Sequence, residues 1–256
     1  MIPIKDNIPT DRFPFVTLGL IVVNFIAYYL AIRHGGSIVS GPDTQEVFKY
    51  GSIPLTLTHP GYHCGLLQLP AGEALACRHG PVPNTLPPWE TVFTAMFMHA
   101  SILHIGGNML FLWIFGNNLE DAMGPVKYLG FYLLGGIVAL GLQVAINPTS
   151  TVPTLGASGA IAAVLGGYIV LYPRARVLTL VLIIVFFTVI ELPALVMLGI
   201  WFALQAVFAA ADLTSPTGGG GGVAYFAHVG GFVFGLLAVR LLATGRKQFP
   251  PPYPVY

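Results

Sequence analysis

The sequence predicts an all-α fold, a polytopic membrane helix bundle with six transmembrane helices. Charged residues make up 8% of its 256 residues and apolar residues 55%, whereas about 25% of an ordinary soluble domain is charged. So few charges cannot cover a water-soluble protein of this size. The long apolar runs lack period-two alternation, which favours helices over a closed barrel. The apolar composition indicates a lipid bilayer as partner, and the formal net charge of +1 gives no sign of nucleic acid binding.

Apolar stretches of the length that a bilayer requires recur along the chain. A hydrocarbon core of about 30 Å needs about 20 apolar residues in a helix. The uncharged run after Tyr128 is too long for one span, and Asn147-Pro148 with Pro153 divides it in two. The predicted spans are 13–32, 91–119, 128–146, 158–172, 193–211 and 223–243. The β-branched run 177–190 stays open, as a tilted extension of the fifth span or a segment along the interface.

Basic residues predict the orientation of these spans. With the N-terminus inside, eight of the eleven Lys and Arg residues are cytoplasmic, and only Arg33, Lys49 and Arg78 lie outside. The predicted organisation is a cytoplasmic segment 1–12, a membrane domain 13–243 and a Pro-rich cytoplasmic tail 244–256. No cleavable signal peptide is evident at the start, so the first apolar stretch is expected to remain as an anchor.

The long outer loop 34–90 contains both cysteines of the chain, Cys64 and Cys77. An oxidising outer compartment makes a disulfide between them plausible, and two free thiols are the alternative. Three histidines of the same loop lack regular ligand spacing, so no metal site is expected; they are His59, His63 and His79. A glycine run at 218–222 predicts a flexible outer loop before the last span.

Three groups of polar or small residues interrupt the even-numbered spans. His99, His104 and Asn108 lie in the second, and His104 and Asn108 share one helix face. Ser158 begins the fourth between small residues, and His228 lies near the start of the sixth. For each of these groups there is a non-catalytic alternative, either close helix packing or an interhelical polar clamp. These spans run in the same direction and place the groups in the outer half of the bilayer, so one shared site is favoured over independent accidents.

Three motifs, in this order and on these spans, resemble the rhomboid family of intramembrane serine proteases. They are HASILHIGGN at 99–108, GASG at 156–159 and AHVGG at 227–231, and the resemblance covers nearly the whole chain. It implies Ser158 as the nucleophile and His228 as the general base. Asn108 and His104 would stabilise the oxyanion with the N–H of Ser158. The supporting residues that the resemblance implies are Gly156, Gly159, His99 and Gly231.

Two positions depart from the family pattern. The family motif of the first outer loop often reads Trp-Arg, whereas this chain has Trp89-Glu90. Many members place an aromatic residue one turn after the serine, against which the histidine stacks, and here that position is Ala162. We therefore expect His228 to be oriented by other groups. Since no acidic residue lies near it in the spans, a dyad is predicted and not a triad.

The function that the resemblance implies is hydrolysis of peptide bonds in or near the transmembrane segments of membrane-protein substrates, without a cofactor. The implied location is a bacterial plasma membrane. One alternative is a non-catalytic relative, a chaperone or scaffold that binds single transmembrane helices, but such relatives lose the serine or the histidine. Another is a transporter, which would need paired broken helices and more charged groups than this chain has.

Overall fold

The computed structural model describes residues 1–69, 72–183, 186–214 and 223–243. The predicted flexible loop at 218–222 and the Pro-rich tail 244–256 lie outside the described residues. In chain order the elements are β1 (Ile2–Asp6), α1 (Phe15–Ile32), α2 (Thr44–Tyr50), α3 (Pro54–Thr58), β2 (Tyr62–Leu69), β3 (Gly72–His79), α4 (Pro88–Thr94), α5 (Ile102–Phe111), α6 (Asn117–Met123), α7 (Pro125–Ile146), α8 (Ser158–Leu171), β4 (Arg176–Ile183), β5 (Phe186–Pro193), α9 (Ala194–Thr214) and α10 (Tyr225–Leu242).

The mostly helical membrane fold is confirmed. Within the described ranges, α1, α7, α9 and α10 are long and apolar enough to cross a bilayer. The predicted second span is two helical segments, Pro88–Phe97 and Ile102–Met123, which meet at a bend of 78° and count as a fifth span if taken together. The chain is therefore an integral membrane protein. The count of six spans stays a prediction, because α8 has only 14 residues.

Helix α8 lies at the centre of the bundle. Eleven of its fourteen residues are buried, so protein surrounds it on every side and lipid does not. Its sequence SGAIAAVLGGYIVL is apolar throughout and has small residues spaced along it, which suits a helix with neighbours all round. A helix of this kind can begin and end inside the bilayer, because neighbouring protein and not lipid surrounds its polar ends.

Glycines bring the backbones of α8 and α10 into direct contact. A Cβ added at Gly231 would lie 2.1 Å from the carbonyl oxygen of Gly159, and one at Gly235 would lie 2.0 Å from that of Ala163. From the other side, a Cβ at Gly166 would lie 2.1 Å from the carbonyl oxygen of Phe232. Not even a Cβ fits in these gaps, so only glycine at these three positions allows this approach.

A buried carboxylate holds the first span to the end of the second. Glu120, on α6, accepts hydrogen bonds from the backbone N–H groups of Val16 and Thr17 at 2.9 and 2.8 Å, and from the Thr17 hydroxyl at 2.8 Å. These N–H groups belong to the first turn of α1, where they have no partner within the helix. An anion there also complements the positive end of the helix dipole.

The described parts of this run, 177–183 and 186–190, form strands, so the tilted-helix alternative is wrong. A position along the interface stays a prediction. Strand β4 pairs antiparallel with β5 from Arg176↔Pro193 to Ile183↔Phe186, and with β1 from the N-terminal segment, which gives the order β1-β4-β5. The β-branched composition favours strands, and a hairpin lets the run satisfy its backbone groups before α9 begins. The bundle therefore carries a small sheet that the all-α prediction lacked.

The sheet is anchored by Asp6 at the end of β1. Its carboxyl accepts hydrogen bonds from Asn118 Nδ2 at 2.6 Å and from the hydroxyl of Tyr168 on α8. The side chain is buried, and this burial raises the pKa of the Asp6 carboxyl to about 6. The N-terminal strand is thus connected directly to the central helix.

The outer loop carries a second sheet and reaches the centre of the bundle. Strands β2 and β3 form a hairpin in which Cys64 and Cys77 face each other and are joined by a disulfide. Ser52, which precedes this hairpin in the loop, exchanges backbone hydrogen bonds of 2.9 and 2.7 Å with Thr154. The loop therefore holds the segment that leads into α8.

Replacing Gly231 by alanine tests the packing of α8 against α10. The added Cβ would collide with the Gly159 carbonyl, so Gly231→Ala should destabilise the protein by about 2 kcal/mol or more. The measurement is the unfolding midpoint in detergent. Gly141→Ala on α7 is the matched control, because a Cβ there meets nothing within 4 Å. Equal midpoints for the two variants would contradict the close contact.

Replacing Asp6 by asparagine tests the buried carboxyl. The folded protein keeps its proton up to about pH 6, whereas the unfolded chain loses it near the ordinary value of 3.8. The folded state should therefore lose about 3 kcal/mol of stability as pH rises through this window. Asp6→Asn stays neutral, so the difference in unfolding free energy between wild type and variant should change between about pH 4 and about pH 7. A constant difference would argue against a buried, protonated Asp6.

Candidate active site

The segment before α8 places Ser158 at the first position of the helix. Gly156 has a φ of 120°, a conformation that strongly favours glycine. Its N–H donates to the carbonyl of Ala95 at 2.8 Å. This turn ends the extended segment from Pro153 and starts α8, so the Ser158 side chain lies where the free N–H groups and the positive dipole end of the helix are found.

Ser158 and His228 are hydrogen bonded. His228 lies in the first turn of α10, and its Nε2 is 2.8 Å from Ser158 Oγ. This distance is within the range for a nucleophile and its base. The two residues are 70 positions apart in the chain, and the glycine contacts between α8 and α10 bring their backbones close enough for the bond. The structure thus brings together the two side chains that the sequence analysis paired.

The other side of the His228 ring contacts α9. Its Nδ1 is 2.7 Å from Oε1 of Gln205, and the ring of Trp201 lies 5.9 Å away between centroids, tilted by 38°. Sequence analysis missed both residues. The signal was present, because Gln205 is the only amide side chain in the predicted fifth span 193–211, and polar groups in spans usually face the bundle interior.

The Nε2 atom of the His104 ring lies close to Ser158. Ser101 caps α5 by accepting from the His104 N–H at 3.2 Å, and the Ala100 N–H donates to His104 Nδ1 at 3.4 Å. Because Nδ1 accepts, Nε2 carries the ring proton. A Cβ built on Gly156 would lie 2.9 Å from this Nε2 and 3.5 Å from Ser158 Oγ. His104 and the serine hydroxyl therefore flank the same glycine.

Asn108 and His99 accompany His104 on the second span. Asn108 lies one turn further along α5 and is buried, and its Nδ2 donates no hydrogen bond within the described part of the chain. His99 is fully buried, and its ring packs edge-on against His104 with 5.0 Å between centroids. Asn108 thus offers an unused donor, and His99 limits the movement of the His104 ring.

A cavity of about 630 Å³ joins these groups. Its walls come from α5, α8, α9 and α10, and the polar side chains that line it include Ser158, His228, His104, Asn108 and Gln205. Apolar side chains such as Phe111, Leu165 and Phe208 form the remainder. An apolar cavity with a few converging polar groups is the usual form of a binding or active site.

The remaining predicted residues lie around this site or away from it. Gly159 and Gly231 form the contact of α8 with α10, and Ala162 is buried beside Gly231. Trp89 on α4 is 65% exposed and lies outside the cavity. In the part of the chain that the structure describes, no three His, Cys, Asp or Glu residues cluster as metal ligands, and His59, His63 and His79 belong to the outer loop.

Comparison with known proteins identifies the family. Residues 87–245, more than half of the chain, match the Rhomboid domain. Over 62% of its length the chain is 32% identical to RHOMBOID-like protein 12, mitochondrial, of Arabidopsis thaliana, and over 57% it is 31% identical to Rhomboid protein 1, mitochondrial, of Saccharomyces cerevisiae. Over 55% it is 29% identical to the human Presenilin-associated rhomboid-like protein, mitochondrial.

The matches cover 48%, 40% and 34% of those relatives, so the chain spans less than half the length of each. Their names place them in mitochondria and conflict with the predicted bacterial plasma membrane. The matched residues 87–245 contain the three motifs, the cavity and the Ser158–His228 pair. On this evidence the chain belongs to the rhomboid family.

Proposed function

We propose that the chain is an intramembrane serine endopeptidase, which hydrolyses peptide bonds in or near the transmembrane segments of membrane proteins. The observation that carries the proposal is the 2.8 Å hydrogen bond between His228 Nε2 and Ser158 Oγ inside a cavity of the helix bundle. A serine hydroxyl becomes a useful nucleophile only when a base accepts its proton. Rhomboid membership supports the same reaction.

In the proposed reaction, His228 accepts the Ser158 proton while Oγ attacks the substrate carbonyl. The tetrahedral intermediate collapses to an acyl-enzyme when His228 donates that proton to the leaving amine. Water then enters, loses a proton to His228 and attacks the ester, and Ser158 recovers its proton from His228 as the acid product leaves. The dyad completes this cycle without a metal or an organic cofactor.

The negative charge of each tetrahedral intermediate falls on the former carbonyl oxygen. His104 Nε2–H and Asn108 Nδ2 are side-chain donors in the cavity that holds Ser158, and the N–H of Ser158 adds a donor at the positive end of α8. Donors arranged in advance stabilise such an oxyanion strongly, because they need no reorganisation during the reaction. The unused Asn108 donor is well explained by this role.

A helical transmembrane substrate must unwind before its carbonyl can reach Ser158, since its backbone is hydrogen bonded within the helix. We therefore expect substrates with Gly, Pro or small polar residues near the end of their span that lies on the side of loop 34–90. The apolar part of the cavity wall suits the side chains of such a segment, and the polar part suits its exposed backbone and the attacking water.

We place loop 34–90 on the oxidising side of the membrane, because its Cys64–Cys77 disulfide would not persist in a reducing compartment. Segment 1–12 then lies on the opposite side of the membrane. The basic residues Lys5, Arg12 and Lys127 support this orientation. The active site is then reached from the side of the disulfide.

Replacing Ser158 by alanine tests the proposed nucleophile. Ser158→Ala should lower cleavage of single-span substrates in detergent by about 10⁴-fold or more, because the remaining groups cannot form the acyl-enzyme. Covalent labelling of wild type by a fluorophosphonate should be lost in Ser158→Ala and in His228→Ala. Cleavage by Ser158→Ala at the wild-type rate would reject the proposed function.

The sidedness of the loop is tested with a membrane-impermeant maleimide on sealed vesicles of known orientation. After mild reduction, Cys64 and Cys77 should react only in vesicles that expose the proposed oxidising side. A thiol introduced by Lys127→Cys, in a background with Cys64→Ser and Cys77→Ser, should react only in vesicles of the opposite orientation. Reaction of both positions from one side would contradict the proposed topology.

A further inference from the structure

We propose that Gln205 is a positioning residue of this site, which selects the ring tautomer of His228 and holds the ring toward Ser158. The inference rests on the proposed protease function and extends it to a residue on α9. Gln205 acts through His228 and has no contact with the scissile bond in this assignment. The catalytic unit is then Ser158, His228 and Gln205, on three different helices.

The hydrogen bonds of His228 lead to this role. To accept the Ser158 proton, Nε2 must carry no hydrogen, so the single proton of the neutral ring must lie on Nδ1. This ring is partly buried, so its N–H is best satisfied by an acceptor from the protein, and Oε1 of Gln205 is 2.7 Å from Nδ1. With the other tautomer, a ring N–H would point at the serine oxygen and Nδ1 would face Oε1 without a proton. With the amide oxygen turned toward Nδ1, Gln205 favours the tautomer that can act as a base.

The chemistry of an amide suits this location. A carboxylate in an apolar helix bundle would have to be desolvated, which is costly without a cation beside it. The Gln205 side chain is neutral and still provides a carbonyl oxygen to the Nδ1 proton. It also stabilises the imidazolium formed during the reaction, although less strongly than an anion would.

The groups around the ring show why the acceptor comes from α9. On α8, the residue one turn after Ser158 is Ala162, whose methyl group is too small for an imidazole to stack on and is buried beside Gly231. On α9, Trp201 packs against the His228 ring at 5.9 Å. On α10, Tyr225 approaches it edge-on at 6.4 Å. The two α9 residues thus supply a packing surface and a directional hydrogen bond.

The test compares two substitutions at this position. Gln205→Met keeps the length and removes the acceptor, whereas Gln205→Glu keeps an acceptor oxygen. An orienting acid in a triad is worth up to about 10⁴-fold, and for a neutral amide we expect Gln205→Met to lower kcat by about 10- to 100-fold. KM should stay within about twofold, and Gln205→Glu should recover kcat to within about tenfold of wild type.

Controls separate this role from a structural one. The control variant is Leu204→Met. Leu204 is on the same helix and its side chain is 47% exposed, so this substitution should leave kcat unchanged. Each preparation is titrated with a fluorophosphonate, so that kcat refers to competent enzyme, and its unfolding midpoint is measured. Low kcat with a normal midpoint and normal KM in Gln205→Met supports the inference.

Three results would overturn it. The role of the acceptor would be removed by a kcat for Gln205→Met within about twofold of wild type, or by a Gln205→Glu variant that has a normal unfolding midpoint and is as slow as Gln205→Met, while Ser158-dependent cleavage by wild type stood. Absence of Ser158-dependent cleavage and labelling in wild type would instead reject the proposed function, and this inference with it. The wild-type and Ser158→Ala assays, run in parallel, distinguish the two failures.

Discussion

The contact between the backbones of α8 and α10 is the constraint on which the rest of the structure depends. Hydrocarbon side chains gain little from leaving lipid, so helices in a membrane associate through close van der Waals contact and polar bonds. Gly231 and Gly235 on α10, with Gly166 on α8, leave space for a neighbouring carbonyl and for nothing larger. This approach places the first turns of both helices side by side, with Ser158 and His228 on them.

The other parts of the fold support this pair from both ends. At the start of α8, the turn at Gly156 is held by Ala95 and by the bridge between Ser52 and Thr154. Towards its other end, Tyr168 donates to Asp6 of the small sheet. The outer loop and the N-terminal strand, which sequence patterns present as peripheral, thus both contact the central helix or the residues next to it.

Much of this arrangement could be predicted from the sequence. A bilayer requires apolar helices of a certain length, so hydropathy and prolines placed α7 and α10 within about three residues of their observed bounds. The pairing of Ser158 with His228 followed from their similar depth and from the motifs around them. Hydropathy, prolines and short motifs are local patterns, which a single sequence contains.

The rest depended on long-range contacts that no local pattern specifies. Run 177–190 is as apolar as a membrane helix, and its pairing with β1 joins segments about 170 positions apart. The bond from Tyr168 to Asp6 spans 162 positions. Gln205 could be recognised in the sequence as a polar residue in an apolar span. Its contact with His228 could not be predicted, because it depends on the rotation of α9 about its axis. Hydropathy does not determine that rotation.

The shortness of α8 has a consequence for the membranes in which this bundle can work. Fourteen residues rise about 21 Å, whereas the hydrocarbon layer is about 30 Å thick and differs by a few ångströms between organelles. Spanning helices that face lipid must tilt or deform the bilayer to match such differences. Because eleven of its fourteen residues are buried against protein, α8 does not have to match the hydrocarbon thickness itself, and that requirement applies only to the helices that face lipid.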